Sequence, residues 1–395
     1  MRILYLFNKG MITADLILAL QEAGHRVEGL DDFECSYSSA DENCYRTILQ
    51  KVQTAKYDLL ISFNFVPTAS RVCNECGIRY VAWQYDAYQT TLYNPELYYP
   101  CNYIFVMDSE EYEYLSRKKL PHVYYLPLAV NTERIGAMDI TDADEERFAS
   151  QISFVGSLYE DIGRNGYRVM IPRLTQEQQK RIEACADLLE CHWERKILDV
   201  FAGLKTEQLV KIDAMDDRAL SELDDVRYYS VIAYSKLIAE RERKKVLNTL
   251  AQNHQVRLYT YSDTAGIAPQ IEVRPPVSYY DEMPKVFYFS RINLNITLRA
   301  IQNGIPLRVF DIMGAGGFLL TNRQKDMDHY FTEGKDYAAF SDMKELQDMT
   351  AYYLAHERER LESAMNGDQK VRELHNYRNR IEQMFQILED TGENQ

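Results

Sequence analysis

The sequence predicts an α/β protein built from two doubly wound lobes, each with a parallel sheet covered by helices. Three observations support this fold class. Short apolar segments alternate with amphipathic helical segments over the first 130 residues, and the same alternation returns after residue 256. An acidic and polar stretch near residues 131–150 separates the two series. A chain of 395 residues is also long enough for two domains of ordinary size.

The first lobe is expected over residues 1–135 and begins with a buried strand at Ile3–Phe7, where every side chain is apolar or aromatic. Apolar residues from Ile12 to Ala23 then recur along one face of a helix that ends at Gly24. Further strands are predicted at 58–63, 79–83, 103–107 and 123–126, and helices at 42–55, 68–75 and 109–119. Ligands of such sheets bind at the carboxyl ends of the strands.

The second lobe is expected over residues 150–370 and begins with an apolar strand at Ile152–Val155. A helical insertion at about 175–253 follows, because this stretch is rich in Glu, Lys, Leu and Ala. Strands are then predicted at 256–261, 271–273, 292–296, 318–321 and 337–340. Residues 371–395 are expected to form a C-terminal helix that packs back on the first lobe. The two lobes should face a central cleft, where we expect the ligand.

The overall composition argues against several classes of function. Lys and Arg number 45 against 60 for Asp and Glu, and the resulting net charge of −15 disfavours a nucleic-acid partner. No apolar run reaches the ~20 residues of a membrane span. The GxGxxG, P-loop, GxSxG and HExxH motifs are missing, so the sequence predicts neither a cofactor nor a metal site. Seven dispersed cysteines favour free thiols and a cytoplasmic location.

The most informative segment is residues 291–322. A predicted strand ends at Asn295, and Gly304–Pro306 opens a predicted helix that carries Arg308 and Asp311. The start of a helix offers N–H groups to a phosphate, and an arginine can bind a diphosphate through two parallel hydrogen bonds. A carboxylate one turn into the helix can accept both hydrogen bonds of a ribose diol. Together these features suit a nucleoside diphosphate, and the alternative is a solvated helix with an internal salt bridge.

The same segment resembles the nucleotide-sugar site of glycosyltransferases with the two-lobe GT-B fold. Specifically, it resembles the CgeB-like spore-maturation group of family 1-like glycosyltransferases, with its pattern G-x-P-x-R-x-F-[DE]-x-x-x-x-G-G-F-x-L-T. The matching residues are Gly304, Pro306, Arg308, Phe310, Asp311, Gly316, Gly317, Phe318, Leu320 and Thr321. Further matches are Trp83–Asp86 for W-x-x-D, Tyr125–Ala129 for YLPLA, and His375, Tyr377 and Arg380 for H-x-Y-x-x-R.

This resemblance implies two Rossmann-like lobes, of which the second holds a UDP-linked sugar donor and the first holds the acceptor. The donor-binding residues that it implies are Gly156, Ser157, Arg164, Asn295, Gly304, Arg308, Asp311, Gly316 and Gly317. Gly316 and Gly317 have an alternative explanation, since a glycine run also ends a helix and turns the chain. In GT-B enzymes with an E-x7-E signature the second acid binds ribose, and Asp311 matches it. Asn303 stands in place of the first acid, which leaves the sugar and the stereochemical outcome open.

On the acceptor side, Asp86 is the candidate general base for a hydroxyl group, because it follows a predicted strand beside the aromatic residues Trp83 and Tyr85. We expect its carboxylate to be partly buried. An aspartate that only caps a turn is the alternative. Lys9 and Gly10 lie in the first strand–helix turn, which faces the cleft in this fold class. They complete the predicted acceptor side together with the two aromatic residues.

These observations predict a metal-independent glycosyltransferase that moves a hexose from UDP to a hydroxyl group of a protein, a glycan or a small molecule. Two alternatives stay open. A nucleotide-sugar epimerase would use the same fold without an acceptor. A surface protein that binds a sugar or a nucleotide without catalysis would need the binding residues but not Asp86.

Overall fold

The computed structural model describes residues 1–6, 13–30, 41–87, 89–160, 168, 174–202 and 234–392. These residues form two α/β units, and each unit contains a six-stranded parallel sheet. Of the described residues, the first unit contains those up to Ala129 and those from His375 on, and the second contains those from Val130 to Leu374. The predicted α/β class with two doubly wound sheets is therefore confirmed.

The first unit is built on a sheet with the strand order β2-β1-β3-β4-β5-β6. Its strands are β1 (Arg2–Leu6), β2 (Arg26–Leu30), β3 (Leu59–Phe63), β4 (Arg79–Trp83), β5 (Asn102–Val106) and β6 (Val123–Tyr125). Its helices are α1 (Ala14–Glu22), α2 (Glu42–Thr54), α3 (Pro67–Cys76) and α4 (Ser109–Arg117), with short 3-10 turns at Thr90–Tyr93 and Pro95–Tyr98. Every residue of β3 and β5 is buried, because helices cover both faces of a doubly wound sheet.

Strand β2 has no counterpart among the predicted strands. Its sequence RVEGL mixes charged and apolar residues, and none of the five residues is fully buried. It lies at the edge of the sheet, where the carboxylate of Glu28 pairs with the guanidinium of Arg2 at 2.8 Å. An edge strand does not need the continuous apolar run of a central strand, so the pattern carries no signal for it.

The second unit is built on a sheet with the strand order β12-β11-β10-β7-β8-β9. Its strands are β7 (Ser150–Val155), β8 (Val256–Tyr259), β9 (Glu272–Arg274), β10 (Ser290–Asn295), β11 (Leu319–Asn322) and β12 (Ala338–Phe340). Strands β7 and β10 are parallel neighbours although β8 and β9 lie between them in the chain. The strand order therefore reverses between β7 and β10, and such a switch point is where ligands of this architecture bind.

Helices surround this second sheet and supply most of the remaining core. They are α5 (Thr132–Gly136), α6 (Asp142–Phe148), α7 (Gln176–Cys191), α8 (Ile197–Phe201), α9 (Ser235–Leu250), α10 (Met283–Phe289), α11 (Leu307–Gly314), α12 (Met343–Ala355) and α13 (Glu357–Leu374). Helices α7, α8 and α9 fall in the stretch predicted as a helical insertion. Within the described ranges, no helix combines the length and the apolar character needed to cross a bilayer.

Helix α14 (Tyr377–Gly392) packs in the first unit. The ring of Phe385 stacks on His25 with a centroid distance of 4.3 Å. The guanidinium of Arg380, which is only 2% exposed, donates a hydrogen bond to the carbonyl of Pro127 at 2.9 Å. Helix α14 therefore belongs to the first unit, although it follows all of the second unit in the sequence.

The cysteines differ in one place from the predicted free thiols. Cys73, Cys76, Cys101, Cys185 and Cys191 are free, whereas the sulfur of Cys44 belongs to a disulfide. Burial raises the pKa of the Cys73 thiol well above its usual range. A reactive thiolate at that position is therefore disfavoured near neutral pH.

Candidate functional site

At the carboxyl edge of the second sheet, β7 and β10 end side by side. The last residue of β10, Asn295, is buried, and its side-chain amide donates hydrogen bonds to the hydroxyls of Thr297 (3.0 Å) and Thr321 (2.8 Å). The backbone N–H of Thr297 donates to the side chain of Asn322 at 2.8 Å. Asn295 thus fixes the loop after β10 to the end of β11, and its direct contact with a donor stays a prediction.

Helix α11 begins at this same edge, because the loop 296–306 joins the end of β10 to its first residue. Gly304 is buried in that loop, and Pro306 precedes the helix with φ −67° and ψ 148°. The first N–H groups of a helix have no partners inside the helix and carry partial positive charge. The start of α11 therefore offers hydrogen-bond donors at the edge where a ligand of this architecture binds.

Arg308 and Asp311 meet on α11. The carboxylate of Asp311 is 3% exposed, and it accepts hydrogen bonds from the hydroxyl of Tyr279 (2.8 Å) and from Nη1 of Arg308 (3.0 Å). The partly exposed guanidinium of Arg308 also contacts the sulfur of Met283 and lies 5.5 Å from the ring centre of Phe287. Asp311 is thus already hydrogen-bonded within the protein, so ribose hydroxyls would have to share or displace these donors.

Tyr279 and Arg134 extend this cluster and were not among the predicted site residues. The guanidinium of Arg134 donates to the carbonyl of Tyr280 at 3.0 Å and lies 5.5 Å from the ring centre of Tyr279. The tyrosines form a sequence doublet, which is a weak signal because the chain contains 30 tyrosines. Tyr279 reaches Asp311 because it lies in the segment just before α10, and its residue type alone does not indicate this contact.

The Gly156–Ser157 turn follows β7 directly. The N–H of Gly156 donates to the carbonyl of Tyr259 at 3.1 Å, and the hydroxyl of Ser157 lies 3.2 Å from that of Ser262. A side chain at Gly156 would meet the ring of Phe154 at 3.4 Å, which is a tight contact. The turn is therefore fixed to the end of β8 at the switch point, and its contact with a phosphate stays a prediction.

Arg243 is a cation of this edge that the sequence analysis missed. It projects from α9, is 8% exposed, and donates hydrogen bonds to the carbonyls of Ser157 and Ile296, the latter at 2.8 Å. Among the residues that the structure describes, no carboxylate oxygen lies within 4.0 Å of its guanidinium. In the sequence it is hidden in the charged run of residues 240–245, which is typical of a solvent-exposed helix face. In the folded protein, however, Arg243 is buried and places its positive charge between the ends of β7 and β10.

Gly316 and Gly317 lie at the opposite edge of the sheet, because they precede the first residue of the parallel strand β11. Gly316 has φ +73° just after α11, a conformation that glycine adopts without strain. A Cβ at Gly317 would stand 2.6 Å from the amide nitrogen of Asn293 and 2.8 Å from the carbonyl of Phe287. Backbone conformation explains Gly316 and close packing explains Gly317, and the structure does not bring either glycine to the site.

In the first unit, Asp86 follows β4 and is exposed, so the expectation of partial burial is wrong. Its carboxylate accepts hydrogen bonds from the amides of Asn64 (2.9 Å) and Gln89 (3.1 Å). Asn64 is fully buried with φ +58°, a backbone conformation that is strained for most residues. Its side-chain oxygen accepts from the backbone N–H groups of Tyr85 (2.9 Å) and Asp86 (3.1 Å). Asn64, which the sequence analysis missed, therefore fixes both the loop and the carboxylate.

The remaining predicted acceptor residues differ in what the structure describes. Trp83 is fully buried, and its ring nitrogen donates to the carbonyl of Leu126 at 3.3 Å. Tyr85 is half-buried, with its ring at 62° to that of Phe63. Lys9, Gly10 and, on the donor side, Arg164 lie outside the described residues.

The fold has relatives among solved structures over the full length of the chain. A sucrose-phosphate synthase from Thermosynechococcus elongatus has a TM-score of 0.57 at 12% identity, and all of both chains is covered. HepE from Anabaena, crystallised with UDP and glucose, has a TM-score of 0.57 at 9% identity, with 99% of this chain and 100% of that chain covered. The chain has the GT-B fold.

Within this GT-B fold, residues 241–386 match the family model described as glycosyl transferase-like. The matched segment contains Arg243, Arg308 and Asp311. The match runs from α9 to the end of the second unit and continues into α14 of the first. A putative UDP-N-acetylglucosamine 2-epimerase from Listeria monocytogenes is also similar in fold, with a TM-score of 0.50 at 9% identity over 100% of this chain and 97% of that chain. No curated protein matches the chain in sequence.

Proposed function

We propose that the chain is a glycosyltransferase of the CgeB-like group, which transfers a hexose from a UDP-linked donor to a hydroxyl acceptor without a metal ion. One observation carries the proposal. The pair Arg308–Asp311 lies on the helix that begins at the switch point of a GT-B second unit, inside the segment that matches a glycosyl transferase-like family. The UDP and UDP-glucose complexes of HepE from Anabaena support the choice of donor.

In this proposal the second unit holds the donor. Its diphosphate binds at the Gly156–Ser157 turn and the start of α11, where Arg308 and Arg243 supply positive charge. Asp311 accepts hydrogen bonds from the ribose. As the bond between the sugar and UDP breaks, negative charge grows on the diphosphate. Fixed cations and N–H groups in a partly buried site stabilise that charge in place of a metal.

Asp86 is the proposed base of the first unit. It takes the proton of the acceptor hydroxyl, whose oxygen forms the new bond to the sugar, and the electron pair of the broken bond stays on UDP. The two amide donors on Asp86 orient its carboxylate. Tyr85, Lys9 and Gly10 complete the proposed acceptor side, and the buried Trp83 supports it from the core.

A thermal-shift titration with UDP, GDP and ADP tests the donor site. A ligand at 100 times its dissociation constant adds about 2.7 kcal/mol to stability, so binding is easily seen. We expect UDP to stabilise the protein selectively and Asp311→Asn to lose that effect. The matched control is Asp348→Asn, whose carboxylate is 66% exposed and pairs with Lys344.

Each other outcome has a defined meaning. Stabilisation by GDP or ADP alone contradicts a UDP-linked donor, and no stabilisation by any nucleotide favours the non-catalytic alternative. An equal UDP effect in both aspartate variants contradicts the role of Asp311. The Listeria neighbour makes epimerisation the second candidate, and this reaction would interconvert UDP-N-acetylglucosamine and its epimer without any acceptor.

A further inference from the structure

The two oxygens of the Asp311 carboxylate accept hydrogen bonds from different parts of the second unit. Oδ1 accepts from the hydroxyl of Tyr279 at 2.8 Å, and Oδ2 accepts from Nη1 of Arg308 at 3.0 Å. Arg308 belongs to the same helix, whereas Tyr279 lies 32 residues earlier in the chain. The last torsion of an aspartate is broad, so a donor on each oxygen restricts the rotation of the carboxylate.

Tyr279 can orient a carboxylate only if its own ring is fixed, and Arg134 of α5 fixes that ring. The guanidinium lies 5.5 Å from the ring centre of Tyr279 and 5.0 Å from that of Tyr280. It also donates to the carbonyl of Tyr280 at 3.0 Å. The two rings meet edge to face, with 5.3 Å between their centres. A cation at such distances is attracted to an aromatic face, so Arg134 holds both rings and the backbone that follows them.

The turn that carries Tyr279 is fixed by further hydrogen bonds. The hydroxyl of Ser278 donates to the carboxylate of Asp281 at 3.0 Å, and the N–H of Ser278 donates to the carboxylate of Glu282 at 3.0 Å. Glu282 also pairs with Arg147 of α6. Contacts from α5 and α6 therefore hold the turn, and the hydroxyl of Tyr279 is a donor whose position is set before any ligand binds.

A carboxylate with a fixed orientation suits the two neighbouring hydroxyls of a ribose. It offers about four lone-pair sites, so an oxygen that accepts from the protein can also accept from a ligand. Each ribose hydroxyl can then donate to one oxygen of Asp311. Without Tyr279, the carboxylate would have to be ordered at the moment of binding, and the entropy lost at that step would oppose binding.

We propose that Tyr279, held by Arg134, is a positioning residue that makes the donor site selective for a ribose with both hydroxyls. It acts through Asp311 and needs no contact of its own with the nucleotide. This inference rests on the proposed function, because it requires that Asp311 binds the ribose. It goes further in naming the residues that orient the acid and the discrimination that this orientation produces.

Calorimetric titration with UDP and with deoxyuridine diphosphate, which lacks one ribose hydroxyl, tests the proposal. The unmodified protein should bind UDP about tenfold more tightly, because the analogue loses one hydrogen bond to a charged group. Tyr279→Phe keeps the ring and removes only the hydroxyl. It should reduce this ratio to about threefold or less, mainly through weaker binding of UDP. The matched control is Tyr288→Phe on α10, whose side chain is 54% exposed, and it should keep the ratio.

A double variant tests whether Tyr279 acts through Asp311. Asp311→Asn should also lower the ratio, and addition of Tyr279→Phe to it should change the ratio no further. An unchanged ratio in Tyr279→Phe overturns the proposal, and so does an equal loss of affinity for both nucleotides, which a merely structural role would cause.

The same titrations separate failure of this inference from failure of the donor site. If UDP binds, loses its affinity in Asp311→Asn and keeps its full selectivity in Tyr279→Phe, the donor site is supported and only the role of Tyr279 is wrong. Equal affinity of the unmodified protein for both nucleotides also overturns the role of Tyr279. If neither nucleotide binds the unmodified protein, the donor site and this inference are both wrong.

Discussion

The carboxylate of Asp86 depends on one buried neighbour. Asn64 sits at φ +58°, accepts two backbone N–H groups of the loop after β4, and donates to Asp86 with the other end of its amide. Strain of this kind persists only where the surroundings impose it, and it is concentrated at functional sites. Asn64 is thus a positioning residue for the proposed base, not a part of the donor site.

Substitution of Asn64 by Asp keeps the acceptor for the loop but sets a second carboxylate against Asp86. We expect the acid limb of the pH–rate profile for sugar transfer to move to higher pH, because neighbouring carboxylates repel each other. The Michaelis constant for the nucleotide sugar should stay near its original value, since the donor site is in the second unit. Asn64→Gly, which tolerates the backbone conformation and lacks the amide, should lower kcat without that pH shift. An unchanged profile in Asn64→Asp would argue against a base at Asp86.

At the scale of elements, Arg380 connects two of the motifs found in the sequence. It donates from α14 to the carbonyls of Pro127 and Leu128, and Tyr377 packs its ring edge against Trp83 at 6.1 Å. Three sequence matches, around residues 83, 127 and 377, thus form one contact region of the first unit. These residues account for how α14 joins the core of that unit.

Arg380→Met should destabilise the first unit by about 3 kcal/mol, because two buried carbonyls lose a charged hydrogen-bond donor. Arg378→Met, an exposed position on the same helix, should change stability by less than about 0.5 kcal/mol. Urea unfolding followed by far-UV circular dichroism measures both. Equal stability of the two variants would show that the Arg380 contacts contribute little.

Arg323 joins β11 to α12 through Glu345, with 2.7 Å between Nη1 and the carboxylate. This hydrogen bond is the main cause that lowers the pKa of Glu345 from its ordinary 4.5. A carboxylate with a lowered folded-state pKa adds stability above its unfolded pKa and loses it as the pH falls through the folded value. Arg323→Gln should therefore cost more stability at pH 7 than near pH 3. A cost that does not depend on pH would contradict this role of the ion pair.

The sequence predicts well those elements whose residue pattern is complete within a few consecutive residues. Central strands such as β3 are apolar throughout because both faces are buried, whereas the edge strand β2 gives no such pattern. Arg308 and Asp311 are found because they lie three residues apart on one helix. Tyr279 lies 32 residues from Asp311, and Arg243 lies 53 residues from Ile296. Contacts between residues so far apart in the sequence depend on the fold, and the spacing of neighbouring residues does not predict them.

At the scale of the whole molecule, two units with separate cores should unfold in two calorimetric transitions. UDP should raise the transition of the second unit, because the proposed donor residues all lie there. Arg380→Met should lower the other transition and so identify it as that of the first unit. An increase confined to the transition that this variant lowers would contradict a donor site in the second unit.

The return of α14 to the first unit also sets an order of events during synthesis. Residues 130–374 leave the ribosome before Tyr377–Gly392, so the second unit has all of its chain while the first still lacks a helix. Domains usually complete folding from the N-terminus onward. Here the order is reversed, and the surface of the first unit around His25 and Pro127 stays uncovered until residue 392 has emerged. Chaperones that recognise exposed apolar surface would meet the N-terminal half of this protein for longer than its C-terminal half.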